Sequence, residues 1–130
     1  MDFTTPEGAI LCLEDAYRKH DIEAAVACRD FATEARLWLQ QKQSYSSDLL
    51  TQMLPEITKT MERSYRESMT TLWPIEWEKA QSYFPKREPN AEGVVVVSEV
   101  TRGPDGSLLR QRLLVAETPK GWRVVTHSPK

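Results

Sequence analysis

The chain has 130 residues, 40% hydrophobic and 28% charged, with a formal net charge of -2 at neutral pH. These values describe an ordinary globular domain that buries roughly two thirds of its unfolded surface and argue against non-specific capture of nucleic acid. No apolar run approaches the ~20 residues that span a bilayer, and Met1 to Ala9 lacks the basic flank and apolar stretch of a secretory signal. The sequence therefore predicts a cytoplasmic protein with no membrane and no nucleic-acid partner.

The first element is announced by Thr5, Pro6 and Glu7: a capping hydroxyl, a proline suited to the first helical position and an acid at the positive end of the helix. Ile10, Leu13, Ala16 and Tyr17 form its apolar stripe. Arg18, Lys19 and His20 place positive charge in the last turn, and Asp21 caps a second helix. That helix is predicted to run from Ile22 through Phe31 to about Lys42, with Ala35, Trp38 and Leu39 continuing its face. Cys12 and Cys28 fall among apolar neighbours in these helices and read as buried free thiols.

After a polar link from Gln40 to Ser47, Asp48 is expected to cap a third helix reaching Leu72. Its stripe is Leu50, Leu54, Ile57, Met61, Tyr65 and Met69. Pro55 lies within this pattern and predicts either a stop at Leu54 or a kink. Near Trp73 and Pro74 the helical spacing ends. Ile75 to Phe84 reads as a strand, or as a short helix and then a strand, and Pro85 to Gly93 as a loop. Val94 to Val97 open a β-branched strand. Gly103 to Gly106 turn it into a return strand from Leu108 to Thr118, and Pro119 to Gly121 lead into a last strand that carries Trp122, Val124 and Thr126 on one face.

Helices followed by consecutive hairpins predict an α+β fold over residues 1–130: N-terminal helices packed on a curved C-terminal antiparallel sheet, cone-like in outline. Neither face of the sheet is purely polar. One face is expected to cover the helices and the other to meet a protein partner or a second copy of the chain, unless its apolar residues are simply scattered on a solvent face.

No nucleophile elbow, phosphate-binding glycine loop or zinc-ligand spacing is present, so neither a metal nor a cofactor is expected. Most carboxylates, Glu14 included, fall on expected helix surfaces or turns and read as solvated. Glu99 and Glu117 lie within strands, and a paired acid–base role for them requires convergence and a raised pKa. Tyr17, Trp38, Trp73, Trp77 and Trp122 are candidates to line a cavity between helices and sheet, with His127 at the end of the last strand as its ionisable group. Core packing is the simpler account of the aromatic residues.

The segment Tyr17 Arg18 Lys19 His20 Asp21 Ile22 Glu23 Ala24 Ala25 and the ending Gly121 Trp122 Arg123 Val124 Val125 resemble the nuclear transport factor 2-like superfamily. Thr5 to Ile10, with Ala27 Cys28 Arg29 Asp30 Phe31 and Glu34 Ala35, resembles the bacterial immunity proteins of that fold. The resemblance implies a non-catalytic protein that binds and neutralises a cognate toxin in the cytoplasm during bacterial competition. The same superfamily holds isomerases, dehydratases and cyclases with a pocket inside the cone, which is the alternative reading; His127, Glu99 or Glu117 would then sit at its base.

Overall fold

The computed structural model describes residues 2–40, 46–71, 81–91 and 93–127. Among the described residues four helices precede four strands: α1 Pro6–Arg18, α2 Ile22–Ala27, α3 Phe31–Gln40, α4 Ser47–Thr71, β1 Gln81–Ala91, β2 Val94–Arg102, β3 Leu108–Thr118 and β4 Gly121–His127. The strands form an antiparallel sheet in the order β1-β2-β3-β4. This is the α+β layering expected from the change of periodicity. No helix among the described residues is long and apolar enough to cross a membrane.

The start of α1 follows its sequence signals. Thr5 Oγ1 accepts from the Gly8 N–H at 3.0 Å, and Pro6 occupies the first turn. Its end is a left-handed cap: His20 has φ 52°, the Asp21 N–H reaches the Ala16 carbonyl at 2.9 Å, and the His20 N–H reaches that of Tyr17 at 3.1 Å. These bonds satisfy carbonyls that a helix end leaves orphaned. Asp21 then caps α2 by accepting from the Ala24 N–H at 3.0 Å.

The expected long second helix is broken. α2 stops at Ala27, and α3 starts at Phe31. Between them the backbone joins the sheet: the Val124 N–H donates to the Cys28 carbonyl and the Asp30 N–H to the Val124 carbonyl, both at 2.8 Å. Arg29 thereby forms a parallel bridge with Val124 on β4. Asp30 caps α3, its two carboxylate oxygens accepting from the Thr33 N–H at 3.0 Å and the Thr33 hydroxyl at 2.6 Å. Sheet bonds plus a cap outweigh the few helical bonds lost.

Of the two outcomes expected at Pro55, the stop at Leu54 does not occur: α4 runs on to Thr71 with Met69 buried, and packing of the later stripe against α2 and α3 holds the helix through the lost bond. The helix is capped by Ser46, whose hydroxyl accepts from the Leu49 N–H at 3.2 Å, while Asp48 lies in the first turn. Pro85 to Ala91, expected as a loop, belongs to β1. β1 is an edge strand, where proline is tolerated because an outward-facing N–H has no ladder partner to lose. Register shifts lie between Tyr83 and Lys86 and between Pro89 and Ala91. Ile75 and Trp77 lie outside the described residues.

The sheet buries apolar side chains on both faces. On one, Val97, Leu113, Val115 and Val124 pack with Ala9, Ile10, Leu13 and Ala16 of α1 and with Ala25 and Cys28. On the other, Val94, Val96, Leu114, Ala116 and Val125 form a second cluster, against which Leu37 of α3 packs. This half of the second face is thus covered within the chain itself. Cys12 and Cys28 are free and buried, as expected, and burial, with Cys12 nearby, pushes the Cys28 thiol up to about 11.

Asp30 is the testable joint of this arrangement. Asp30→Ala is expected to lower stability in urea unfolding by about 1–2 kcal/mol, the usual worth of a helix cap, whereas Asp30→Asn, which keeps an acceptor, retains most of it.

Candidate functional site

Two places on the molecule carry more chemistry than packing requires. The first is a buried carboxyl pair between α1 and the sheet. Glu14 is 2% exposed and Glu99 1%, and Glu99 lies near enough to raise the pKa of Glu14. The sheet supplies the surroundings through its register. Ser82 of β1 opposes Thr101 of β2, and Glu99 opposes Gln111 of β3. Ser82 Oγ donates to Glu14 Oε1 at 2.8 Å and lies 3.3 Å from Thr101 Oγ1; Gln111 Nε2 donates to Glu99 Oε1 at 2.6 Å.

One oxygen of each carboxyl, Glu14 Oε2 and Glu99 Oε2, is buried with no donor among its neighbours. A proton on Glu14 supplies a donor that the ionised carboxyl lacks. Burial is the largest cause that raises Glu14, to about 9, and Glu99 adds to it; Ser82 and the more distant Arg18 act the other way. The pair therefore holds a proton at neutral pH, as closely spaced buried carboxyls do.

The second place is an open groove at the far end of the sheet, with a volume of about 420 Å³, lined by Tyr83, Phe84, Pro85, Val100, Arg102 and Leu108. Here the second face extends beyond the cluster that Leu37 covers. Tyr83 and Leu108 are 51% and 54% exposed. Val100 lies opposite Tyr83, and Leu108 opposite Arg102, so the groove is built from cross-strand pairs of one face.

The candidate aromatic lining is only partly assembled. Tyr17 and Trp122 both pack against the helix-side core, where the Tyr17 hydroxyl lies 2.7 Å from that of Tyr65. Burial and the neighbouring Tyr65 raise the Tyr17 phenol above its ordinary range. Trp38 is on α3 and 41% exposed. Trp73 and Trp77 lie outside the described residues. His127 ends β4, its backbone paired with Leu113. Glu117 is exposed and opposes Trp122, so it does not pair with Glu99.

Glu14, expected as a solvated surface charge, is the residue that sequence reasoning missed. Its spacing held the signal: it follows Ile10 by four residues and precedes Tyr17 by three, which places it on the buried stripe of α1. Among the described residues no group of three or more His, Cys, Asp or Glu is arranged to hold a metal ion. No protein-family model matches the chain, and neither a curated protein nor a solved structure does.

A carboxyl pair that shares a proton can serve acid–base chemistry when a substrate reaches it. Here both residues are closed to solvent. The measurable consequence is a pH-dependent stability. A carboxyl whose pKa is raised on folding stabilises the fold fully below its unfolded value near 4.5, and that contribution is lost as pH rises through about 9. Glu14→Gln keeps an N–H donor toward Glu99 without needing a proton. Urea unfolding between pH 5 and pH 9 is expected to show the wild type losing stability relative to Glu14→Gln as pH rises, by roughly 1 kcal/mol or more across the range.

Proposed function

We propose that this chain is a non-catalytic binding protein that captures a partner protein, acting in the cytoplasm as a bacterial immunity protein against a cognate toxin. The observation that carries the binding reading is the groove at the free end of the sheet. Apolar side chains that a solvent-facing sheet has no reason to gather, Tyr83, Val100 and Leu108, converge there around an open depression.

The immunity assignment adds the resemblance of Thr5 to Ile10 and of Ala27 to Ala35 to toxin-immunity proteins. The closed state of the carboxyl pair favours binding over a pocket enzyme. Glu14 and Glu99, the groups best suited to acid–base work, are sealed between α1 and the sheet. An interface of the usual size, ~800 Å² on each partner, is larger than the groove alone and includes the strand surface around it.

The test is genetic and biophysical together. Co-expression with the toxin encoded beside this gene is expected to restore growth, and the purified proteins to form a stable one-to-one complex by calorimetry. Leu108→Ser, at an exposed anchor position, is expected to weaken that complex by about tenfold, the loss typical of a central apolar contact, without lowering the unfolding midpoint. A chain that neither binds nor protects against the adjacent toxin removes the reading.

A further inference from the structure

The charge around the groove says more about its occupant than its apolar floor does. Residues directly opposed across antiparallel strands share a face. Arg110 opposes Val100, and Arg102 opposes Leu108, so both guanidinium groups stand on the groove's own face beside its apolar anchors. Both arginines are exposed. Lys86 also stands on that face, opposite Ser98, but is paired with Glu88 at 3.3 Å.

Glu88 is the carboxylate that the described strands place on this face, and it is spent on Lys86. Of the acids nearest in sequence, Glu99 faces α1, and Asp105, in the β2–β3 turn outside the strands, accepts from the Ser107 hydroxyl at 2.6 Å. A chain of net charge -2 thus carries a locally positive, apolar-centred groove. Such a surface is complementary to carboxylates arranged around an apolar side chain, and arginine recognises carboxylates through paired N–H donors.

We propose that the groove binds an acidic segment of the partner protein, with one apolar side chain seated over Val100 between Tyr83 and Leu108 and flanking carboxylates on Arg102 and Arg110. The inference rests on the binding reading above and names the chemistry of its partner. It assigns Arg102 and Arg110 to orientation and rate of encounter, and Tyr83, Val100 and Leu108 to retention.

A pair of short synthetic peptides tests it on the full chain: one leucine flanked by glutamates, and the same peptide with lysines in their place. Amide chemical shifts of the labelled protein are expected to move at Tyr83, Val100 and Leu108 with the glutamate peptide and not with the lysine one. Raising sodium chloride from about 50 to about 300 mM is expected to weaken binding several-fold. Arg102→Glu with Arg110→Glu is expected to reduce affinity at least about tenfold while the spectrum away from the groove stays folded. Arg102→Gln with Arg110→Gln is expected to give a smaller loss.

No response to the glutamate peptide, equal binding of the lysine peptide, or shifts confined to another surface overturns the proposal. So does binding of a thymidine oligonucleotide or of phosphatidylglycerol vesicles through the same arginines in place of the peptide, and so does a concentration-dependent dimer abolished by Leu108→Glu. The two readings fail separately. If the acidic peptide docks but the adjacent toxin is neither bound nor neutralised, the immunity reading falls alone; if the toxin is bound equally well by the double reversal, the acidic-segment proposal falls alone.

Discussion

The short exchange of backbone hydrogen bonds between Cys28, Asp30 and Val124 sets the position of nearly everything else. It ties the chain to the edge of β4 at the point where it passes from one face of the sheet to the other. Before it, α1 and α2 lie with the cluster that includes Val97, Val115 and Val124. After it, α3 brings Leu37 to the opposite cluster around Val96 and Val125. The bridge also gives part of the β4 edge a partner, which a sheet left open there would lack.

Arg29 makes this crossing hard to undo. Its guanidinium lies 5.0 Å from the Phe31 ring centroid and 4.5 Å from that of Tyr65. It donates at 2.7 Å to both the Glu34 carboxylate and the Val125 carbonyl. One side chain thereby joins the α2–α3 junction, β4 and α4. The ion pair is largely buried, so its net contribution is modest, but loss of either member would strand a charge. Tyr65 passes the connection to α1 through the Tyr17 hydroxyl. Farther along, Arg66 reaches Glu23 of α2 and Glu62 one turn back, fixing α4 over α2.

Much of this was legible in the residues, and the exceptions share a cause. Caps at Thr5 and Asp21, the valine strand and both hairpin turns depend on local geometry, and local geometry is what spacing encodes. The break at Arg29 does not, because the apolar period of α2 runs into that of α3 without a missed beat; only the cap spacing of Asp30 and Thr33 marks it. The strand character of Lys86 to Ala91 is set by pairing with Val94 to Ser98 and is hidden by Pro85 just before it and Pro89 within it, which an edge strand can hold. For the site, alternation along β2 placed Glu99 with Val97, but its partner Glu14 was visible only if an acid was allowed on the buried stripe of α1. The groove arises from residues far apart in the chain, and no single segment announces it.

The buried carboxyls and the groove are two sides of the same strand. Along β2, Glu99 and Thr101 face α1 while Val100 and Arg102 face outward, since successive side chains alternate. Here α1 offers β1 polar partners: Glu14 accepts from the Ser82 hydroxyl, and Glu7 accepts from the Arg87 guanidinium at 2.9 Å. Directional bonds fix position more tightly than apolar contact does, and the proton held on Glu14 lets them form in a space too dry for two negative charges. The hydrogen-bonded layer thus holds the strands that carry Tyr83, Val100 and Leu108 in one relative register. A binding face organised before its partner arrives loses less freedom on association. The acid pair behind the groove keeps the strands that line it in place, although it is no part of the groove's own lining.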